Sequence, residues 1–342
     1  MSKKYNFAII GCGVIANTHG NVINAIERAN LYAVCDIIKD KADEFAKKYN
    51  ADNVYYDYME MLQDPNIDIV CICTPSGMHG EMAVNVANAG KHIVCEKPIE
   101  ITTEKIKPII EAVKRNNIKF QSIFQRRTMP AAIATKKLIE EGKLGKIVMA
   151  NAYLKYYRDQ AYYDSAGWRG TWELDGGGAL MNQGVHGIDL LQWMVGQKVT
   201  SIFGRADHLS RNIEVEDTAV ALLQFEGGGY GVIEGATTCY PGLDTTFAIH
   251  GEKGTIIFSD SGIERWDFID EDIPRPDAGK KIGGATGATH ISSGGHYILL
   301  NDLIDAIEND RQPMIPPEEG KVAVEIINSI YRSEREKKEV YL

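Results

Sequence analysis

Three groups of residues in this chain have types and spacings suited to chemistry. The first is Gly11-Cys12-Gly13-Val14-Ile15-Ala16, directly after an apolar run and opening a helical pattern. A glycine turn in that context lets a pyrophosphate approach backbone N–H groups at a helix N-terminus, with Gly11, Gly13, Val14 and Ile15 as its contacts. Asp36 ends the next apolar run about 20 residues further on, where a carboxylate can hold both ribose hydroxyls. Ile37 and Ile38 follow it with no arginine. A 2′-phosphate would be repelled there, so NAD is favoured over NADP. The bland alternative is a strand-to-helix turn beside a surface aspartate.

The second group lies where strand runs end, the side on which doubly wound sheets bind ligands. Thr74-Pro75-Ser76-Gly77-Met78-His79, Glu96-Lys97-Pro98 and Gln125-Arg126-Arg127 occupy such positions. They make Thr74, Pro75, Ser76, His79, Glu96, Lys97 and Gln125 candidates for the cofactor, and Arg126 a candidate for the substrate. Lys97 is the sharpest, because an ammonium at the mouth of a nucleotide crevice can hydrogen-bond a substrate hydroxyl and stabilise developing alkoxide charge. A solvated surface lysine is the competing reading.

The third group begins at the aromatic, glycine-rich stretch Trp168-Arg169-Gly170-Thr171-Trp172-Glu173-Leu174-Asp175-Gly176-Gly177-Gly178. The helical pattern after it puts Asn182, His186 and Asp189 at spacings of four and three, on one helix face. A neutral imidazole with amide and carboxylate neighbours suits a general base working near its own pKa. A packed or surface histidine is the ordinary alternative. Tyr153, Tyr156, Tyr157, Tyr162, Tyr163 and Trp168 precede this helix and either stack on a sugar ring or pack between strands.

The elements that must position these groups fall into two rhythms. Up to residue 125, short apolar runs at 5–10, 31–35, 68–73, 92–95 and 118–124 alternate with helical patterns at 14–28, 39–49, 80–89 and 103–116. That alternation predicts a parallel, doubly wound sheet, since parallel strands need crossover connections. From 126 to 342 a helix at 130–141 precedes longer β segments at 147–157, 199–209, 217–225, 229–239, 245–250 and 255–259. Glycine turns separate several of these, predicting an α+β domain with a largely antiparallel sheet. One long helix is expected at 179–195 and two more at 296–309 and 317–335. The glycine-rich stretch 280–295 reads as a mobile loop.

Composition limits the partners. Of 342 residues 37 are basic and 47 acidic, a formal net charge of −10, with no Lys/Arg-rich block. General nucleic-acid binding, which depends on neutralised phosphates, is therefore excluded. No apolar run approaches the roughly 20 residues of a membrane span, and the first residues do not form a signal peptide. The expectation is a cytoplasmic protein. Its six cysteines lie mostly in apolar runs without metal-binding spacing, which predicts buried, reduced thiols and no metal.

Together these motifs resemble the glucose–fructose oxidoreductase and inositol dehydrogenase family, also called Gfo/Idh/MocA. The resemblance runs from the Gly11 loop through Glu96-Lys97-Pro98, Gly142-Lys143-Leu144-Gly145 and the stretch 176–189. It continues to Gly295-His296, Asp302, Ala306-Ile307, Arg311, Pro313, Glu319-Gly320 and Ala323-Val324. It implies a Rossmann NAD-binding domain followed by a substrate domain whose open-faced sheet makes homodimer or homotetramer contacts. It also implies that Glu96 and Lys97 line the nicotinamide end, that the Lys97–Pro98 bond is cis, and that Trp168 and Arg169 reach the cofactor. Lys97 and His186 would be the catalytic pair, with Arg126, Tyr156, Arg169 and Asn182 around the substrate. The implied reaction is oxidation of a secondary hydroxyl of a sugar, nucleotide sugar or cyclitol by hydride transfer to NAD.

One position departs from the inositol dehydrogenase-like pattern: Asn182 stands four residues before the histidine, where those members carry aspartate. An amide supplies no negative charge to raise imidazole basicity. The run Met181-Asn182-Gln183-Gly184-Val185-His186, with Trp168-Arg169, looks closer to members that oxidise the 3-hydroxyl of nucleotide-linked aminosugar uronates. The competing function is a non-catalytic NAD- or sugar-sensing regulator of the same fold, which has no chemical need for Lys97 or His186.

Overall fold

The computed structural model describes residues 3–269, 272–277 and 293–342. Contacts divide the chain into two units, Met1–Phe124 with Ser292–Lys321, and Gln125–Ile291 with Val322–Leu342. The break after Phe124 falls beside the expected boundary at 125. The return of Ser292–Lys321 to the first unit departs from the expectation that everything beyond 126 forms one domain. The cause is packing: Arg28 is ion-paired to Asp305 and Glu308, and the Ser122 N–H donates to the Ile315 carbonyl at 2.9 Å.

In the first unit β1 (Tyr5–Ile10), α1 (Val14–Ala25), β2 (Ala29–Cys35), α2 (Lys39–Tyr49), β3 (Asn53–Tyr55) and α3 (Tyr58–Met61) lead into the second half of the sheet. That half is β4 (Ile69–Ile72), α4 (His79–Asn88), β5 (His92–Cys95), α5 (Thr103–Arg115) and β6 (Phe120–Ser122). The six strands run in the order β3-β2-β1-β4-β5-β6, and every neighbouring pair is parallel. Residues of β4 are buried on both faces, as helices covering a parallel sheet require. The order in which strands are added reverses between β1 and β4, so the loops after these two strands flank the switch point where such sheets take ligands. The sequence pattern misses β3 and α3, which are too short to show a period.

The second unit contains α6 (Pro130–Glu140), β7 (Ile147–Lys155), α7 (Gln160–Asp164), a π-helical segment Ala179–Gly184 and α8 (Val185–Val195). Strands β8 (Val199–Asp207), β9 (Thr218–Phe225), β10 (Tyr230–Ala236), β11 (Thr246–Gly251), β12 (Gly254–Ser259) and β13 (Gly262–Phe268) follow. The chain closes with α9 (Ser293–Glu308) of the first unit, α10 (Pro317–Glu336) and β14 (Val340–Tyr341). The sheet order is β13-β12-β11-β7-β10-β9-β8-β14, antiparallel except for the parallel pair β7–β10. Buried and exposed residues alternate along β9, as in a sheet covered on one face. Its uncovered face presents Val220 and Leu222, with Phe203 of β8 paired to Leu222, and Tyr230 and Met149 on neighbouring strands.

Two expectations change here. The single helix at 179–195 is two elements, because Gly178 O accepts the N–H of Gln183, an i→i+5 bond at 3.2 Å that opens a π turn. The loop expected at 280–295 lies outside the described residues as far as 292, while Ser293–Gly295 form the first turn of α9. All six cysteines are free, five of them buried, and burial drives the Cys12 and Cys35 thiols up to about 12. Among the described residues no helix is long and apolar enough to cross a membrane.

Candidate active site

In the first unit the dinucleotide cradle is a backbone construction. Gly11 has φ +89°, and a Cβ there would lie 2.9 Å from the Cys73 carbonyl oxygen, so only glycine fits between β1 and the end of β4. Gly13 is the N-cap of α1 with no side-chain cap, and the space around its Cα is open. The first-turn N–H groups of α1 are thus left without a side-chain cap, where an anion binds. Asp36 accepts the Cys12 N–H on Oδ2 and the Ile38 N–H on Oδ1, both at 2.9 Å. These bonds hold the carboxylate at the end of β2 beside the glycine loop. An uncapped helix start, an open glycine and a fixed carboxylate at the switch point fit a dinucleotide with a free 2′-hydroxyl.

The loops after β4 and β5 are braced together. His79 is buried, with Nδ1 2.7 Å from the Pro98 carbonyl and Nε2 2.9 Å from the Thr74 carbonyl. Both ring nitrogens are engaged, so His79 fixes the loops that carry Thr74, Pro75 and Ser76 instead of reaching outward. Glu96 is buried as well: its Oε1 lies 2.8 Å from His19 Nε2 and 3.1 Å from His296 Nε2, and its Oε2 accepts the Lys97 N–H at 3.2 Å. Burial pushes this carboxyl up, but the imidazole hydrogen bonds more than offset that and hold it well below the usual carboxylate range. Lys97 is half-buried, and the Lys97–Pro98 peptide is cis. Sequence reading could not find this cluster, since its members are far apart in the chain. It is also the group of His and carboxylate atoms among the described residues that lies close enough to surround a metal ion.

In the second unit the expected helix face is dispersed. The Asp189 carboxylate is buried and takes two hydrogen bonds from Arg127, at 2.8 Å from Nε and 2.7 Å from a terminal nitrogen. Asn182 turns instead to Asp175, a buried residue whose other oxygen accepts the Gly170 N–H at 2.9 Å. The π turn is the reason, because it rotates residue 182 away from the register that an α-helix would give. Asp175 thereby brings a carboxylate to the amide that stands where the inositol dehydrogenase-like pattern has an acid. The Asn182 Oδ1 accepts from Gln183, whose own amide oxygen accepts from Arg158, both at 2.9 Å. His186 is half-buried at the start of α8.

Other candidates divide into engaged and available groups. Arg126 is ion-paired to the buried Asp260, and the Tyr156 hydroxyl lies 3.1 Å from Thr245 Oγ1. Arg169 has its guanidinium 4.1 Å from the Tyr162 ring centre and 5.0 Å from that of Trp168. Its Nε is buried without a hydrogen-bond partner. Gln125 is half-buried in a short turn before α6.

Glu216, absent from any motif, anchors the π segment. It accepts the N–H groups of Gly178 at 3.1 Å and Leu180 at 2.8 Å, and the Tyr331 hydroxyl at 2.8 Å. A Cβ on Gly178 would stand 2.2 Å from the Glu216 carbonyl oxygen, so glycine permits this approach. Burial lifts the Glu216 carboxyl to about 7, against the backbone and tyrosine bonds that lower it. The folded protein therefore binds a proton there between the ordinary carboxyl pKa and about 7, while the unfolded chain does not. Its stabilising contribution is complete below the ordinary value and is lost as pH rises through about 7, at most roughly 3 kcal/mol at about 1.4 kcal/mol per unit. Urea unfolding at pH 5 and pH 8 is expected to show a smaller loss of stability with rising pH in Glu216→Gln than in the unaltered protein. Equal pH slopes would contradict this assignment.

Residues 5–124 match the model described as "Oxidoreductase family, NAD-binding Rossmann fold", and residues 133–257 the "GFO/IDH/MocA C-terminal domain". A crystal structure of the WlbA dehydrogenase from Bordetella pertussis in complex with NADH and UDP-GlcNAcA is 33% identical, with TM-score 0.89 over 99% of both chains. Levoglucosan dehydrogenase of Pseudarthrobacter phenanthrenivorans is 31% identical over 75% of this chain and 74% of its own. Myo-inositol 2-dehydrogenase of Thermotoga maritima is 26% identical over 98% and 97%.

Proposed function

Because the chain belongs to the Gfo/Idh/MocA family of oxidoreductases, we propose that it is an NAD-dependent dehydrogenase that oxidises a secondary hydroxyl of a sugar, nucleotide sugar or cyclitol. The observation that carries this reading is the cradle at the sheet's switch point, where Gly11, the uncapped start of α1 and Asp36 suit NAD. NAD, when bound, supplies the hydride acceptor. The chain's own groups supply the rest. His186 takes the hydroxyl proton as the carbinol carbon gives up hydride, and Lys97 holds the same oxygen and disperses its developing charge. The products are a ketone, NADH and a proton.

The substrate favoured is a nucleotide-linked acetamido-sugar uronate, oxidised at the ring 3-hydroxyl. Two things support it: the likeness to a WlbA dehydrogenase structure holding UDP-GlcNAcA, and the buried Arg169 Nε that lacks a partner. Asn182, oriented by Asp175, donates or accepts at a neighbouring hydroxyl. The apolar row of Phe203, Val220, Leu222 and Tyr230 on the uncovered sheet face supports assembly as a homodimer or homotetramer.

The test is NADH formation, followed at 340 nm, with UDP-GlcNAcA, levoglucosan, myo-inositol and simple aldoses. Turnover is expected with NAD well above that with NADP, and fastest on UDP-GlcNAcA. Fastest turnover on an inositol would displace the substrate assignment alone. Tight NAD binding with no turnover on any of them would displace the enzyme reading in favour of a sensor.

A further inference from the structure

We propose that His19 and His296 are positioning residues that clamp Glu96 and through it fix the main chain of Lys97, making α9 a working part of the nicotinamide end of the site. This inference rests on the reading that Lys97 takes part in hydride transfer. Three separate elements meet at one carboxylate: His19 from α1, Glu96 from the end of β5, and His296 from the first turns of α9. All three side chains are essentially inaccessible to water.

A carboxylate buried this deeply, with no lysine or arginine on it among the described residues, must be held by hydrogen-bond donors, or its desolvation would go uncompensated. Here the donors are the two imidazole Nε2–H groups on Oε1 and the Lys97 N–H on Oε2. The rings meet edge to face, with centroids 5.4 Å apart. Both Nδ1 atoms are buried without a hydrogen-bond partner. A neutral ring that donates from Nε2 leaves Nδ1 only as a bare acceptor. A charged ring would leave an N–H unpaired in the interior, the costlier arrangement. Each imidazole thus donates through Nε2, the atom that faces Glu96. Separations of 2.8 and 3.1 Å to one oxygen are N–H···O distances, so hydrogen bonds suffice to hold the cluster together.

The mechanical consequence follows from connectivity. Glu96 and Lys97 are consecutive, and the carboxylate of one holds the N–H of the next. Removing a clamp donor frees that carboxylate to rotate, and the lysine's main chain loses its restraint. A misplacement of about 1 Å at a reacting group can lower turnover by roughly a hundredfold, whereas NAD affinity is set at the Gly11 loop and Asp36. The loss should therefore fall on kcat and leave KM for NAD nearly unchanged.

The test compares His296→Gln with His296→Asn in the full-length protein. A glutamine amide nitrogen falls near Nε2 and can still reach Glu96, whereas the shorter asparagine places its amide near Nδ1. Asn is expected to lower kcat by about tenfold or more with KM for NAD within about threefold, and Gln to retain most of kcat. Equal kcat in the two variants, or a loss confined to KM for NAD, would overturn the clamp. Stoichiometric metal in the purified protein, lost in His296→Asn, would overturn it in favour of a metal centre. Lys97→Ala, measured alongside, separates the two levels: full activity there removes the catalytic reading, while an inactive Lys97→Ala beside a fully active His296→Asn removes only the clamp.

Discussion

Lys97→Ala and His186→Ala are each expected to lower kcat by roughly a hundredfold or more while NAD binding persists. Positioned acid–base groups typically contribute 10²–10⁴ to a rate, and the proposed mechanism has the two act on one hydroxyl, one on its proton and one on its oxygen. Their losses should not add, because a proton acceptor without an oriented hydroxyl has little left to do. NAD affinity should survive because neither substitution touches the groups proposed to hold it: the Gly11 turn, the start of α1 and Asp36. Steady-state rates together with NAD titration by protein fluorescence check both halves. Unaltered turnover in the double variant would remove the mechanism, and loss of NAD binding in either single variant would reassign that residue to the cofactor.

Asp189→Ala should produce the largest loss of stability, about 3–5 kcal/mol in denaturant unfolding. Arg127 and Asp189 are both almost wholly excluded from solvent and share two hydrogen bonds. The guanidinium also lies 5.6 Å from the Trp193 ring centre. Removing the carboxylate takes two hydrogen bonds from a buried cation that cannot shed its charge, since arginine stays protonated. Replacing both residues together by Met and Leu should recover much of the loss, because a buried charge deprived of its carboxylate, not the missing pair, is what destabilises. A single variant as stable as the original would show that Arg127 is hydrated in solution. Because α8 carries both Asp189 and His186, the single variant should also lower kcat more than the double one.

These expectations draw unequally on the sequence. The Gly11 loop and Asp36 could be read directly, since strand, turn, helix and carboxylate lie within a few dozen residues and each carries its own local signature. Lys97 was marked by its place after a strand. His79 and Glu96 were marked the same way, yet both are turned inward, because sequence position gives the loop but not the direction of a side chain. The partners of Glu96 lie at residues 19 and 296, and no local pattern joins them. The π segment was hidden for another reason: its residues satisfy a helical period, and only Glu216, holding the N–H groups of Gly178 and Leu180 from the segment before β9, reveals the altered register. Asp175 was in view within a glycine-rich stretch, but its link to Asn182 depends on that same turn. The strand β13 escaped notice because only Ile263 of its residues is buried at the end of the sheet, leaving no apolar alternation to read.

Charge tells a related story. A net charge of −10 excluded polyanion partners, yet the proposed ligands are anions. The two agree once location is considered, because the proposal has the dinucleotide phosphates meet backbone N–H groups at α1 and the nucleotide sugar meet Arg169. Neither contact depends on the overall balance.

The central claim is that hydride leaves a substrate carbinol carbon for NAD. The direct measurement uses UDP-GlcNAcA deuterated at C3, with the mass of the NADH formed as the readout. The proposal predicts NADH one mass unit heavier, with the label at C4 of the nicotinamide. NADH formed without label would contradict oxidation at that carbon, and a labelled substrate recovered unchanged beside tightly bound, unreduced NAD would contradict the claim of a dehydrogenase acting on it.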